Sequence, residues 1–211
     1  MRRESSTVVV LVGEVGDGLL TGLAQSPGLS VARAGSADGG GGGADETAPP
    51  RPGWETGALA LRAATRARSM YVIVPDDPLA DVAAGWRAMW EVPGPGAAAG
   101  ASGAAEFERH AAEALAAWRG KRFELPDYYL VIAPAQGTEA GPDLYLGPLR
   151  AIRSRRVAVA ATADSPAQVS AVLHALRTLE HGPWWPPLDE MLDAARNFFA
   201  GGLAETQQIL G

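Results

Sequence analysis

Residues 7–21 read TVVVLVGEVGDGLLT: a β-branched run, Thr7–Val12, breaks into Gly13, Gly16 and Gly18 and then into an apolar stretch of helical character. A continuous apolar run without polar alternation suits a strand covered on both faces, as in a parallel sheet. Four more short runs share the pattern: Leu29–Arg33 after the Ser26-Pro27-Gly28 turn, Met70–Val74, Tyr128–Ala133 and Val157–Ala161.

Helix-period segments alternate with these runs. After MYVIV comes PDDP, where Asp77 is placed to cap a helix that Pro78 opens, and Leu79, Val82, Trp86, Met89 and Trp90 then form one stripe. Phe107, Ala111, Leu115 and Trp118 repeat the pattern over Ala104–Arg119. Beyond VAVAA, the Ser165-Pro166-Gln168 capping signal starts a helix whose buried face is Val169, Val172, Leu173 and Leu176, and Gly182 marks its expected stop. Leu188, Met191, Leu192, Ala195 and Phe198 predict a last helix. The alternation argues for an α/β fold: a three-layer sandwich, a mostly parallel sheet of about five strands with helices on both faces and an extra C-terminal helix.

One domain over residues 1–211 is expected, with mobile Gly/Pro-rich loops at 35–52, which carries a five-glycine run, and at 92–103. Net charge is −6, and no dense Lys/Arg block occurs, so a nucleic-acid partner is not expected. Cysteine is absent, which excludes disulfides, thiolate metal sites and cysteine nucleophiles. No stretch approaches the roughly 18 apolar residues of a membrane span. The apolar run near the start is short and followed by Glu14 and Asp17, unlike a signal segment, so the expectation is a cytoplasmic protein. Only Lys121 of the 18 basic residues is a lysine, and the Ala/Gly/Pro richness fits a high-GC coding sequence of bacterial type.

In open α/β sheets ligands sit beyond the carboxyl ends of the strands, which draws attention to the loops at 13–18 and 75–77. Gly13 and Gly18 have P-loop spacing, but Leu19 and Leu20 stand where a phosphate-neutralising lysine and a magnesium-binding hydroxyl would have to be. A dinucleotide fingerprint running from Gly16 through Gly18 would need Thr21 in place of its last glycine. Gly13, Gly16 and Gly18 remain candidate cofactor-binding residues, although Glu14 and Asp17 would oppose a phosphate in the absence of a metal. The favoured reading is a plain strand-to-helix turn. Glu14, Asp17, Asp76 and Asp77 form a candidate Mg²⁺ set, because a hard cation takes carboxylate oxygens; the competing reading makes Asp17 and Asp77 helix N-caps and Glu14 a solvated loop residue.

VVVLVGEVGDGLLTGLAQSPGLSVARAG (8–35) resembles the opening β-α-β of a response-regulator receiver domain, and ADSPAQVSAVLHALRTLEHGPWWPP (163–187) resembles the last helix and exit of such domains. The resemblance implies a receiver-like module that has lost phosphotransfer. Glu14 and Asp17 are not adjacent, Asp76 lies beyond Pro75, Ala133-Pro134 replaces the family's hydroxyl, and no lysine lies near Ala161. The loops at 35–52 and 92–103 are insertions relative to a receiver.

His110, His174 and His181 carry no metal-binding spacing, and His181 is placed to meet the terminal carbonyls of its helix. No G-x-S-x-G elbow occurs. HGPWWPPLDE holds Trp184 and Trp185 on a stiff Gly-Pro/Pro-Pro turn; the favoured reading has both sealing the core, and the alternative, in which one plugs the helix–sheet junction and the other is exposed, makes them candidate interface residues. The basic run Arg150–Arg156 is either a solvated face or a contact for an acidic partner. The functional expectation is a non-catalytic regulatory or protein-interaction α/β module with a protein partner and no resident cofactor. The alternative is a small-molecule or nucleotide-binding enzyme using the loops after the first and third strands with Mg²⁺.

Overall fold

The computed structural model describes residues 6–34, 52–90, 101–133, 143–161 and 165–210. Strands β1 (Thr7–Gly13), β2 (Leu29–Val31), β3 (Tyr71–Val74), β4 (Tyr128–Ala133) and β5 (Val157–Ala161) form one all-parallel sheet in the order β2-β3-β1-β4-β5. Helices α1 (Asp17–Ala24), α2 (Gly53–Ala64), α3 (Ala80–Ala88), α4 (Ala101–Arg119), α6 (Ser165–Arg177) and α7 (Leu188–Leu210) flank it. A π-helical turn (Tyr145–Leu149), continued by the short α5 (Arg150–Ile152), joins β4 to β5. The expected α/β sandwich with a C-terminal helix is the fold observed, and the sheet is wholly parallel. Its order differs from the 2-1-3-4-5 of flavodoxin-like sheets. No described helix is long and apolar enough to cross a membrane.

Because side chains alternate across a strand, each central strand feeds two cores. Val8 and Val10, Val72 and Val74, and Tyr129 and Val131 face one side with α2, α3, α4 and α7. Val9 and Leu11, Ile73, and Tyr128, Leu130 and Ile132 face the other with α1 and α6. This is why the runs read as continuously apolar. The C-terminal helix docks on the larger core through Leu188, Met191, Leu192 and Ala195. It is fixed there by the Trp86 indole donating to the Ala195 carbonyl (3.2 Å) and by a two-pronged Arg196–Glu108 pair (2.7 Å on each arm).

Several boundaries shift from the sequence reading, each for a local reason. β2 is three residues long, and Met70 stays outside β3, exposed. Helix α3 begins at Ala80 rather than Pro78, because the Asp77 carboxylate takes the Leu79 amide (2.9 Å) and the Asp77 carbonyl takes that of Ala80 (3.2 Å). Asp17 is the first residue of α1, not its cap; Gly16 occupies that place. Helix α6 ends at Arg177, short of Gly182: the Thr178 hydroxyl caps the His174 and Ala175 carbonyls, and the Tyr71 hydroxyl takes that of Leu176. Residues 101–103 of the second expected loop belong to α4, and Pro52 is the N-cap of α2, a helix the sequence reading did not delimit. The expected loop segments 35–51 and 92–100, with Pro134, lie outside the described residues.

The glycines after β1 are not equivalent. Gly13 has φ +108°, and a Cβ there would sit 2.7 Å from the Ile132 carbonyl oxygen of β4, whereas Gly16 and Gly18 face open space. Only the first is required by the backbone. Gly13→Ala is expected to lower unfolding free energy by about 2–4 kcal/mol, and Gly18→Ala to be neutral or to stabilise by up to about 1 kcal/mol. Chemical denaturation of the two variants beside the parent checks the pair.

Candidate functional site

The chain leaves β1 toward the face of α1, while its neighbours β3 and β4 lead toward the opposite face through α3 and the π turn. In such sheets a divergence of this kind marks the usual ligand position, at the carboxyl ends of the strands. The loops at 13–18 and 75–77 follow β1 and β3 at the carboxyl ends of those strands.

Their carboxylates are not brought together as a ligand set. Glu14 is exposed. Asp17, also exposed, pairs with Arg33 at 2.8 Å. Asp76 accepts the Ala34 amide (2.9 Å), tying the end of β2 to the β3 loop. Asp77 turns inward and is 8% exposed. Among the described residues no group of three or more His, Asp or Glu could hold a metal ion. The four carboxylates expected as an Mg²⁺ set, Glu14, Asp17, Asp76 and Asp77, thus do not converge: Asp17 pairs with Arg33, Asp76 holds the Ala34 amide, and Asp77 faces the core. Of the three glycines, Gly13 is required by its backbone, while Gly16 and Gly18 have no close neighbour.

Asp77 instead anchors a buried polar cluster. One carboxylate oxygen accepts the Leu79 amide and the other accepts the Tyr145 hydroxyl. The Tyr129 hydroxyl approaches the same carboxyl, outside hydrogen-bond geometry. Tyr129 is placed there by register: Val74, Val10 and Tyr129 form one row across β3, β1 and β4, on the face that Asp77 re-enters three residues later. Its ring packs on Tyr145 (5.1 Å between centroids) and on Trp185 (5.6 Å). Gly57 of α2 lets the helix press against the turn, since a Cβ there would lie 2.3 Å from the Pro78 nitrogen.

Burial raises the Asp77 carboxyl from 3.8 to about 6, against the lowering effect of its hydrogen bonds from Tyr145 and Leu79. Burial, together with the facing Asp77 charge, pushes both phenols well above their ordinary range. The cluster can hold a proton; sealed in the core, it presents no open face to a substrate.

The second feature lies at the opposite, amino end of the strands. Trp185 is 5% exposed and donates its indole N–H to the Pro126 carbonyl (2.8 Å), whereas Trp184 is 46% exposed. Between Trp184 and Tyr128 lies the Arg156 guanidinium, 5.0 Å and 4.9 Å from the two ring centroids. Arg156 is itself buried and donates to the carbonyls of Gly182 (2.7 Å), Pro183 (3.1 Å) and Asp127 (3.2 Å). Arg153 Nε holds the Trp184 carbonyl at 2.7 Å, and Arg155 reaches that of His181 at 3.3 Å. The basic run is therefore the scaffold of the tryptophan turn. Its arginines could be read from the sequence; that three of them grip backbone carbonyls 26–31 residues away could not. Tyr129 and Tyr145 were missed as site residues because each sits in an apolar context that reads as core. His110 is half-buried, and His174 and His181 are exposed and apart.

A groove of about 900 Å³ runs from Trp184 past Tyr128, Phe123 and Arg122 toward Met70. Comparison with protein-family models, with curated proteins and with solved structures finds no match for this chain.

The raised Asp77 carboxyl has a definite consequence for stability. Folding favours its protonated form, so its contribution is complete below pH 3.8, falls as the pH rises, and is lost above about 6. The loss is on the order of 3 kcal/mol for a displacement of this size. Asp77→Asn is expected to remove that pH dependence and to be more stable than the parent at pH 7.5, as measured by urea unfolding at a series of pH values.

Proposed function

We propose that this chain is a non-catalytic α/β module that works through protein–protein contact, with Trp184 and the groove beside it as the contact surface. The observation that carries the reading is the exposed Trp184 ring held on a rigid base, with Arg156 stacked beneath it and its own carbonyl clamped by Arg153. A large aromatic ring whose orientation is fixed before binding loses little conformational freedom on association, which is the property of an interface anchor.

The lining of the groove suggests the partner's chemistry. Arg62, Lys121 and Arg122 contribute three cations against the carboxylates of Glu124 and Asp127, Arg156 being buried beneath Trp184, and the Asp127 carboxylate is already bonded to the Val8 amide (2.7 Å). On a chain of net charge −6 this is a locally basic surface. An acidic segment carrying an apolar residue for the Trp184 face fits it. The inward commitment of Asp77 supports a non-catalytic role for the other edge. From the receiver resemblance only the regulatory character without phosphotransfer is carried into this proposal, since receivers use the strand order 2-1-3-4-5 and this sheet does not.

Trp184→Ala tests the reading without disturbing the core, because Trp185 and not Trp184 fills it. The variant is expected to keep the parent's melting temperature within a few degrees and to lose, by tenfold or more, proteins that co-purify with the parent chain from its native cells. Unchanged co-purification by a folded Trp184→Ala protein would contradict the proposal.

A further inference from the structure

One polar atom of the Asp77 cluster is left over. The Tyr129 side chain is fully enclosed in the core, and its hydroxyl finds no hydrogen-bond partner among the described residues, although it lies close to the Asp77 carboxyl. A buried hydroxyl without a partner is costly, and one kept in that condition beside a titratable group calls for a reason.

The two protonation states of Asp77 ask for different surroundings. A neutral carboxyl carries a donor of its own, and its two oxygens are already engaged by the Leu79 amide and the Tyr145 hydroxyl. An ionised carboxylate only accepts, and away from water each further donor strengthens its position. The side chains that act on this carboxyl are the Tyr145 phenol of the π turn, the Tyr129 phenol of β4 and the like charge of Asp81 on α3; α2 meets the turn at Gly57, which has no side chain. Asp143, at the head of the π turn, acts on Tyr145 and lies 3.8 Å from Arg87. None of the groups acting directly on Asp77 is a cation. The Tyr129 hydroxyl is the unused donor within reach of the ionised form.

We propose that the cluster is a proton-operated switch: when Asp77 gives up its proton to solvent, the Tyr129 hydroxyl is drawn in as a third donor, and the ring passes its movement to Trp185 and the tryptophan turn. The link is direct packing, since the Tyr129 ring lies 5.1 Å from that of Tyr145 and 5.6 Å from that of Trp185. Trp185 is tied by its indole N–H to the Pro126 carbonyl, and the next carbonyl, that of Asp127, takes Arg156, on which Trp184 stacks. A close-packed interior transmits such a shift because it has no voids to absorb it. Burial of the carboxyl sets the change near pH 6 instead of 3.8. Its meaning for a partner rests on Trp184 being the contact surface; the switch itself does not.

The assigned indole N–H resonance of Trp185, followed by ¹H–¹⁵N NMR of the full chain across the titration of Asp77, tests this. In the parent it is expected to move with the same midpoint as the Asp77 carboxyl, near 6. Tyr129→Phe keeps the ring and removes only the hydroxyl; it is expected to hold the resonance still and to raise the Asp77 midpoint, because a donor to the charged form is gone. Asp77→Asn has no proton to lose at this place and should also hold the resonance still. A parent resonance indifferent to the titration of Asp77, a movement that persists in Tyr129→Phe, or an Asp77 midpoint unchanged by that substitution would overturn the proposal. No partner enters the measurement, so its outcome is separate from that of the Trp184→Ala co-purification.

Discussion

The bond from the Tyr145 hydroxyl to the Asp77 carboxylate is the constraint around which this molecule is arranged. A carboxyl removed from water must find donors or stay protonated, and Asp77 does some of each: it takes a phenol and an amide, and burial still raises it to about 6. In satisfying it, the chain joins the β3–α3 turn to the π turn after β4, two segments 68 residues apart in sequence. The π turn in turn meets α7, where Gly147 gives room to the Phe198 ring. Tyr129 completes the arrangement from the middle of the sheet, and its ring passes the packing on to Trp185. One buried line, Asp77–Tyr145–Tyr129–Trp185, thus runs beneath the sheet from the carboxyl edge to the tryptophan turn at the amino edge.

That line explains why two adjacent tryptophans have different fates. Trp185 terminates it, buried and hydrogen-bonded to Pro126; Trp184, one residue earlier, necessarily projects the other way and lands on Arg156. The buried guanidinium is held by three backbone carbonyls, so its charge is spread over carbonyl dipoles and two aromatic faces. Arginine suits this better than lysine because its planar fork can donate in several directions while stacking. The result is a stiff surface feature on an otherwise acidic protein, the opposite of the soft, cradle-like site the glycine turn first suggests.

Much of the fold could be read from the chain. The limits of β4 and β5 were read to the residue, because continuous apolar runs bounded by turn residues reflect burial on both faces; β2 and β3 came out shorter, and α3 and α6 were misjudged at one end. At α6 the local stop signal was outvoted by the Thr178 and Tyr71 hydroxyls, and at α3 the start moved because Asp77 caps the Leu79 and Ala80 amides from within the turn. The neighbourhood of the 13–18 and 75–77 loops was legible from topology. Whether Asp77 looked outward to a cation or inward to a phenol was not, since that depends on Tyr145, whose place is set by a π turn with no sequence signature of its own. The role of Arg156 was hidden likewise, its partners being backbone atoms.

Asp77 acts as a core anchor and not as an open carboxylate at a ligand edge. The most direct measurement is a ¹³C NMR titration of the Asp77 side-chain carboxyl in the full chain, with and without Mg²⁺, beside the same titration in Tyr145→Phe. An apparent pKa near 6, indifferent to Mg²⁺ and moved upward when the phenol is removed, is the result expected. A midpoint at the ordinary 3.8, or one drawn down by Mg²⁺, would contradict it.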